Sequence, residues 1–475
     1  MHQWLSAEQQ RRLFLDTAKA ATDYREAAHL LPHVPQVGYR EALERFDAPL
    51  PEGPVDAHEV VADLQRLSDG ALMLPVGPRF YGWVIGASHP VGVAADWLAA
   101  AWGQNAGNHH ASPAASAAEE VAGRWLVDLL GLPQSSAVGF ATGATMANLT
   151  CLAAARDEVL RRVGWDAPAQ GLFGAPELRV LIGADAHATV FLGLQLLGLG
   201  RERVTRVATD SQGRMSPDAL RAALAEGPGQ RQPAVVILQA GQINTGACDR
   251  FDQLIPIAHA AGAWVHVDGA FGLWARAAPE RAHLAAGVEA ADSWATDAHK
   301  WPQVPYDCGV AIVREEAHLR QAMSFTAAYL PEAEADERDP SHYVPELSRR
   351  ARGFATWAVL RALGRSGVAE LIERHCRIAA ALAERLAAAP GVAILNDVEL
   401  NQVAVRFGDS DELTLRTIAR IQQDGVLMAG ASAWRGQQIM RLSVSGGATD
   451  DAEVGPTVTA ILAAWDAVRA ADGAP

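Results

Sequence analysis

Short apolar runs separated by helix-like stretches constrain the fold of this 475-residue chain more than any other feature. Most of the runs end in glycine, aspartate or another polar residue. Strands that are buried on both faces lose the alternation of apolar and polar residues, as parallel strands covered by helices do. The pattern predicts a doubly wound α/β domain with ligands beyond the carboxyl ends of its strands. The runs are VGFATG (138–143), LRVLIGAD (178–185), AVVILQAG (234–241), AWVHVDG (263–269) and GVAIVR (309–314).

We assign this pattern to a large domain at residues 86–349 and divide the rest into two regions. Residues 1–85 read as helices followed by a Pro/Gly-rich segment without a core of their own, so we expect them to pack on another subunit or on the main body. Residues 350–475 combine a long alanine-rich helix with strand-like runs, which predicts a small α+β domain. The acidic, proline-bearing segment 331–342 predicts a mobile loop between the domains.

Charge and cysteine content argue against several classes of function. The formal net charge of −15 disfavours a nucleic-acid or anionic-membrane partner, because both bind basic surfaces. The four cysteines are far apart and form no CxxC pair, which fits a reducing compartment and predicts no metal site. We find no apolar signal core and no run of the roughly 18–20 apolar residues that span a bilayer. We therefore expect a soluble cytoplasmic protein.

A lysine and an aspartate follow strand-like runs in contexts that favour chemistry. Lys300 lies in DAHKW (297–301), within mostly apolar sequence. A lone lysine is usually a solvated surface residue, but a desolvated lysine amine is nucleophilic and reacts with aldehydes. Asp268 ends the run in HVDGAFG (266–272). It could be a turn or cap residue, or it could keep a pyridine nitrogen protonated and so make the ring an electron sink.

Two further segments suit the other parts of one cofactor. In FATGATMANL (140–149) a strand runs into small residues where a helix begins, so backbone N–H groups and the Thr145 hydroxyl could bind a phosphate, although many such turns look similar. His187 lies just past a strand in GADAHATV (183–190); a single histidine is more often structural, but it could stack on a flat ring. A phosphate turn, a stacking histidine, an acidic strand end and a lysine together indicate pyridoxal 5′-phosphate (PLP).

These motifs resemble those of the group II PLP-dependent amino acid decarboxylases, from about residue 80 to 450. HVDGAFG resembles the family's HVDAAxxG, and DAHKWPQVPYDCGVAIVR resembles its (N/D)xHKW…CGxxxVR. LSRRARGFATWAVLRALG resembles the helix after its catalytic loop. The resemblance implies PLP-dependent transferase fold type I, the aspartate-aminotransferase type, with a mainly parallel large domain and a small α+β domain. It also implies an obligate homodimer with active sites at the subunit interface.

The resemblance implies a role for each of several residues. Lys300 would be the Schiff-base lysine and Asp268 the partner of the pyridine nitrogen. His187 would stack on the ring, and Ala270 would touch its other face. Tyr329, in AAYLPE, would be the catalytic-loop tyrosine that reaches the neighbouring subunit's site and protonates the substrate carbon after CO₂ leaves. The residues around the phosphate would be Gly143, Ala144, Thr145 and His299.

The sequence departs from the family pattern at three places near the expected site. GQINT (241–245) stands where Gly-Thr-Thr is frequent, near the cofactor's 3′-oxygen. GG (446–447) replaces a frequent Asn-Trp in the C-terminal wall, and FLG (191–193) lacks a lysine that is common after the stacking histidine.

The resemblance implies decarboxylation of an L-amino acid to its amine and CO₂. The competing enzyme outcome is transamination or oxidative deamination to an aldehyde; relatives with phenylalanine at the loop position tend toward oxidation, so Tyr329 favours decarboxylation. A non-catalytic PLP-fold binding protein is a third alternative, which the full set of site residues disfavours.

The substrate is the least constrained part of the interpretation. An apolar and aromatic part of the N-terminal segment resembles the family's pocket-lining region, which would suit an aromatic amino acid, or it would only pack the dimer interface. An acidic substrate would require an arginine, for which Arg79 and Arg441 are available. The residues of the apolar segment are Trp83, Ile85, His89 and Trp102.

Overall fold

The protein is described here by a computed structural model that covers residues 5–226, 232–324, 337–471 and 473. Its helices are α1 (Ala7–Ala27), α2 (Tyr39–Phe46), α3 (Ala57–Ser68), α4 (Pro90–Ala101), α5 (Pro113–Leu129), α6 (Ala144–Arg161), α7 (Ala167–Gln170), α8 (Ala188–Leu196), α9 (Pro217–Ala225), α10 (Phe251–Ala260), α11 (Glu316–Met323), α12 (Arg352–Ala387), α13 (Asp411–Asp424) and α14 (Val454–Ala471). Its strands are β1 (Ala137–Ala141), β2 (Arg179–Gly183), β3 (Thr205–Val207), β4 (Ala234–Gln239), β5 (Trp264–Asp268), β6 (Ser293–Asp297), β7 (Gly309–Val313), β8 (Val392–Ile394), β9 (Gln402–Phe407), β10 (Gly430–Trp434) and β11 (Gln437–Ser443). Short 3₁₀ helices cover Gly272–Ala277, Ala282–Ala285, Val288–Ala290, Pro340–Tyr343 and Asp451–Glu453.

Among the described residues, seven strands form the central sheet in the order β1-β7-β6-β5-β4-β2-β3. Strands β3, β2, β4, β5 and β6 are parallel, with Gln239 of β4 paired to Asp268 of β5. Strand β7 is antiparallel to both of its neighbours, so β1 points the same way as β6. The carboxyl ends of all strands except β7 therefore meet at one edge of the sheet. This topology confirms the predicted doubly wound fold.

Both faces of the sheet are covered, which explains the loss of alternation in the sequence. On β4, Val236 and Leu238 pack in one apolar layer with side chains of α5, α10 and α12. Val235 and Ile237 point to the opposite layer, which α6, α8 and α11 cover. An apolar residue is therefore favoured at every position of a central strand.

The C-terminal part of the chain builds a second, smaller sheet. Its strands are antiparallel in the order β10-β11-β9-β8. Helices α13, α14 and the second half of α12 bury an apolar core against it, in which Phe407 contacts Trp465. Helix α12 is interrupted at Gly364, where φ is 61° and only glycine is unstrained. The buried apolar residues of α12 as far as Cys376 pack in the core of the central sheet, and those from Ile378 onward pack in the core of the small one.

The N-terminal helices contribute little to either core. Helix α1 begins with a capping box between Ser6 and Gln9, yet neither it nor α2 nor α3 contains a buried residue. Two tryptophans that follow, Trp97 and Trp102, are about half exposed. No helix in the described ranges is both long and apolar enough to cross a membrane. Of the loop predicted at 331–342, residues 331–336 lie outside the described ranges.

Candidate active site

Loops from the carboxyl ends of β1, β2, β4, β5 and β6 enclose a cavity of about 200 Å³. The topology brings them together because these strands point the same way. Every described residue that the sequence singled out for the cofactor lines this cavity. These residues are Gly143, Ala144, Thr145, His187, Asp268, Ala270, His299 and Lys300. Tyr329 lies outside the described residues.

Lys300 lies at the floor of this cavity in an ion pair. Its Nζ is 3.1 Å from Oδ2 of Asp297, whose side chain is almost fully buried. The apolar surroundings expected for the lysine are therefore only part of its environment, and we did not predict the role of Asp297. The buried Trp301 anchors the same turn by donating from its indole nitrogen to His375 Nδ1 at 2.9 Å. The chain contains one other lysine, Lys19, which is exposed on α1.

The amino-terminal end of α6 forms the wall where the sequence predicted a phosphate. Here the backbone N–H of Ala144 donates to Asp297 Oδ1 at 2.6 Å. A side chain at Gly143 would lie 3.3 Å from Cε1 of His299, so glycine keeps this corner open. His299 accepts from the backbone N–H of Cys308 through Nδ1, so its proton is on Nε2, 3.5 Å from Asp297 Oδ1. Asp297 thus occupies the anion position at the helix end.

Asp268 is a buried carboxylate with few partners. Its side chain accepts from the backbone N–H of Ala270 at 3.3 Å, and no ion pair joins it within the described ranges. Burial raises the pKa of Asp268, and the nearby His187 and Lys300 oppose that rise. A buried acid of this kind needs a hydrogen-bond donor or cation in front of it.

His187 closes one side of the cavity and also caps a helix. It precedes α8, and its Nδ1 lies 2.7 Å from Thr189 Oγ1. Burial, and to a smaller extent the charges of Lys300 and Arg441, lower the pKa of His187, which Asp268 partly counteracts. The ring is therefore favoured in its neutral form beside Asp268. The contact with Thr189 holds the imidazole ring of His187 in place through an edge nitrogen and does not involve either face of the ring.

Two of the three departures from the family pattern have visible structural roles. Gln242 folds back on its own turn, where its Oε1 accepts from the backbone N–H of Asn244 at 2.6 Å. Ile243 lines the cavity in the place of a frequent hydroxyl. A Cβ at Gly447 would lie 2.3 Å from Gln303 Oε1, so the Gly-Gly pair lets the C-terminal wall pack against the turn that follows Lys300.

Comparison with known proteins shows the family to which this chain belongs. The family model for the pyridoxal-dependent decarboxylase conserved domain matches residues 40–408, more than half of the chain. The chain belongs to the pyridoxal-dependent decarboxylase family. It is thus a PLP-dependent amino acid decarboxylase, a carboxy-lyase, as the sequence motifs predicted.

Relatives of this decarboxylase match it along almost their whole length. It is 25% identical over 450 residues to an aromatic-L-amino-acid decarboxylase of Bacillus atrophaeus, which covers 92% of each chain. The aromatic-L-amino-acid decarboxylase of Rattus norvegicus is 28% identical over 466 residues, 94% of each chain. A tryptophan decarboxylase of Catharanthus roseus in complex with L-tryptophan has the same fold, with a TM-score of 0.88, 21% identity and coverage of 98% and 99%. A 4-hydroxyphenylacetaldehyde synthase of Rhodiola rosea matches with a TM-score of 0.87, 22% identity and the same coverage.

The cavity of this decarboxylase fits PLP in the chemistry of its walls. An amine, a buried carboxylate and a helix amino-terminus face one space, and these are partners for an aldehyde, a pyridinium nitrogen and a phosphate. Among the described residues, no cation bonds directly to the buried Asp268, and a protonated ring nitrogen would supply one. Asp297 does not fit this pattern. Its carboxylate accepts the hydrogen bond from the Ala144 N–H, which a phosphate at the helix end would otherwise accept.

We therefore expect Asp297→Asn to bind PLP about tenfold more tightly or better. The substitution removes a negative charge from the phosphate end of the cavity and frees Lys300 from its ion pair. The difference should widen above about pH 6, where a phosphate ester gains its second charge. Equilibrium titration of the cofactor-free protein across pH measures it, with Asp252→Asn on exposed α10 as the control. Unchanged or weaker binding at pH 8 would contradict this expectation.

Proposed function

We propose that this enzyme decarboxylates an aromatic L-amino acid. The observation that carries the proposal is the apolar segment 83–89 above the lysine turn. A Cβ at Gly86 would lie 1.7 Å from the backbone oxygen of Lys300, so this segment runs directly against the turn. Trp83 is about half exposed beside it, with φ of 54°, and Ile85 is held through a hydrogen bond from Ser445 to its backbone oxygen. An aromatic side chain would find an apolar surface here, as the names of the curated relatives also favour.

The two arginines of the acidic-substrate alternative differ in their surroundings. Arg79 is paired with Glu453 at 2.8 Å and donates to the backbone oxygen of Val426, so its charge is already compensated. Arg441 is partly buried, has no acidic partner within the described ranges and donates to the backbone oxygen of Trp83 at 3.2 Å. Burial lowers the pKa of Arg441 to about 10. We assign this uncompensated cation to the α-carboxylate, which every amino acid substrate carries.

In the proposed reaction, the cofactor and the side chains of the protein have separate roles. Bound PLP supplies the electron sink for cleavage of the bond to the carboxylate. Lys300 would hold the aldehyde carbon of PLP, since the only other lysine is exposed on α1. Asp268 would keep the ring nitrogen protonated, with His187 and Ala270 on the two faces of the ring. The phosphate would lie among Gly143, Ala144, Thr145 and His299.

We propose further that the active enzyme is a cytoplasmic homodimer in which residues 1–85 pack on the partner. Helices α1–α3 contain no buried residue, and Trp97, Leu98 and Trp102 expose large apolar areas. Monomers rarely leave so much apolar surface uncovered. Tyr329 would act across this interface as the proton donor to the substrate carbon.

We also propose that the chain divides into a large domain at 86–349 and a small domain at 350–475. Four free, buried cysteines fit a reducing compartment.

A substrate panel tests this function. We expect CO₂ and the corresponding amine from L-tryptophan, L-tyrosine or L-phenylalanine, and turnover at least about tenfold lower with L-glutamate, because a charged side chain would lose its hydration against Trp83 and Ile85. Sedimentation of the same sample should give twice the 50.4 kDa of one chain. Preferred turnover of an acidic amino acid would contradict the substrate class. Aldehyde and peroxide in place of amine would favour oxidative deamination, and a monomer with full activity would overturn the dimer.

A further inference from the structure

A chain of buried polar side chains runs behind Asp268. Trp264 and His266 precede it on β5, Ser293 begins β6, and Asn148 lies in the second turn of α6. Their side chains are at most 1% exposed. The successive distances are 2.9 Å from Trp264 Nε1 to Ser293 Oγ, 2.9 Å from Ser293 Oγ to His266 Nδ1, and 2.8 Å from His266 Nε2 to Asn148 Oδ1. We call these four residues the Asp268 relay.

The direction of each hydrogen bond in the relay follows from its first member. An indole N–H can only donate, so Ser293 Oγ accepts from Trp264. Within the described ranges the Ser293 hydroxyl has one further partner, His266 Nδ1, and its proton points there. Burial lowers the pKa of His266 to about 3, against a smaller rise from the backbone of Ser293, so the ring is neutral. Because Nδ1 accepts from the Ser293 hydroxyl, we place the ring proton on Nε2. His266 therefore donates to Asn148 Oδ1, and the NH₂ group of Asn148 must turn the other way.

Asn148 lowers the pKa of Asp268 as a hydrogen-bonding partner, and with its Oδ1 bound to His266 we infer that its NH₂ group faces Asp268. Its Nδ2 is buried and makes no hydrogen bond of normal geometry in the described part of the chain. Burial has the largest effect on Asp268 and raises its pKa. The titratable groups that face Asp268, His187 and Lys300, lower it, as do the Ala270 N–H and the Asn148 amide. Asn148 is thus a donor aimed at a carboxylate that burial would otherwise neutralise.

We propose that Asn148 and His266 are positioning residues that keep Asp268 ionised and aimed at the pyridine nitrogen of PLP. The proposal rests on the cofactor role proposed above for Asp268. Neither residue lines the cavity, so both act through the carboxylate. A donor fixed in a water-free interior needs no reorganisation when the charge it stabilises is used.

Asn148→Asp tests the relay with a side chain of the same shape. It replaces the donor by a second acid, so we expect the dissociation constant of PLP to rise about tenfold to a hundredfold. The spectrum of the bound cofactor should also lose its protonated-ring form at lower pH than in the wild type, which a loss of stability alone would not cause. The control is Asn401→Asp, an equally buried asparagine of the small domain that donates to the backbone oxygen of Val444. It should lower stability and leave both readouts unchanged.

Ser293→Ala tests the relay without adding a charge. It removes the hydroxyl that fixes the proton on His266, so we expect a rise of about two- to tenfold in the dissociation constant and a pH shift in the same direction. If Asn148→Asp does not fold, the result for Ser293→Ala is sufficient to test the relay. Wild-type behaviour of both variants, while Asp268→Asn is altered, would refute the relay and leave the role of Asp268 intact. If Asp268→Asn also binds PLP as the wild type does, the proposed role of Asp268 fails as well.

Discussion

Replacing Lys300 by alanine is expected to lower the rate of CO₂ release by about 10⁴-fold or more and to abolish the visible absorption of the lysine-bound cofactor. In the role proposed above, Lys300 supplies the amine that would hold the cofactor in place, and its side chain lines the cavity where a proton would be transferred. Positioned proton transfer alone contributes about 10²–10⁴ to a rate, and loss of an intramolecular nucleophile costs more. Single-turnover CO₂ release and absorption spectra of the two proteins, both saturated with PLP, measure the effect.

The chain offers a matched control for this prediction. Lys19 is the only other lysine, is exposed, and pairs with Asp23 at 2.6 Å on the surface of α1. Lys19→Ala should therefore keep wild-type turnover and absorption. A Lys300→Ala protein that still turns over within tenfold of the wild type would remove Lys300 from the reaction. Loss of the absorption in Lys19→Ala instead would move the attachment site to the amino-terminal helix.

Replacing Asp268 by asparagine is expected to lower turnover by about 10²–10⁴-fold. The carboxylate is buried, and the partner proposed for it is a cationic ring nitrogen, so the substitution leaves that cation without its counter-charge. Breaking a buried charge pair in this way costs about 3–5 kcal/mol, and each 1.36 kcal/mol in the transition state is tenfold in rate. The rate constant for CO₂ release at saturating PLP and substrate measures this effect apart from any change in cofactor affinity.

An aspartate remote from the cavity provides the comparison. Asp252 is exposed on α10, and Asp252→Asn should leave turnover unchanged. The Asp268→Asn protein should also bind PLP more weakly, because one partner of the ring is lost. Near-normal turnover in Asp268→Asn would show that the ring nitrogen does not depend on this carboxylate, whatever happens to affinity.

The main strands could be predicted because their polarity reflects where they lie. Runs such as AVVILQAG are apolar at every position, since helices cover both faces of the sheet. Strand β6 was not predicted because Ser293, Thr296 and Asp297 are polar, although all three are buried. Ser293 belongs to the relay, Asp297 lines the cavity and Thr296 donates to the backbone oxygen of Ala270, so the strand lacks a hydrophobic pattern. Strand β3 has three residues at the sheet edge, which is too short for a pattern.

The residues that could be proposed from the sequence are those that each match a single group of the cofactor. Asp268 ends a run that was predicted as a strand and His187 follows another, whereas Lys300 follows β6 and was singled out by the DAHKW segment. The sheet topology brings all three into one cavity. Contacts between loops were harder to predict. The hydrogen bond from Ala144 to Asp297 joins residues 153 positions apart, although the aspartate three residues before Lys300 was a signal for the ion pair.

The relay residues carry no motif of their own. Asn148 lies one turn beyond the amino-terminal end of α6, where we propose that the phosphate binds, and His266 lies two residues before Asp268 on β5. Because alternate residues of a strand share a face, His266 could have been placed behind Asp268. Its contact with Asn148 required the packing of α6 on the sheet.

The most direct test of the account is to find where PLP is attached. Reduction of the PLP-loaded enzyme with borohydride followed by peptide mass mapping fixes the cofactor on the amine that holds it. Because the chain has two lysines, the assignment is unambiguous. We predict the added mass on the peptide that contains Lys300 and none on the peptide that contains Lys19. Label on Lys19 alone, or a loaded enzyme with no label on Lys300, would contradict the account.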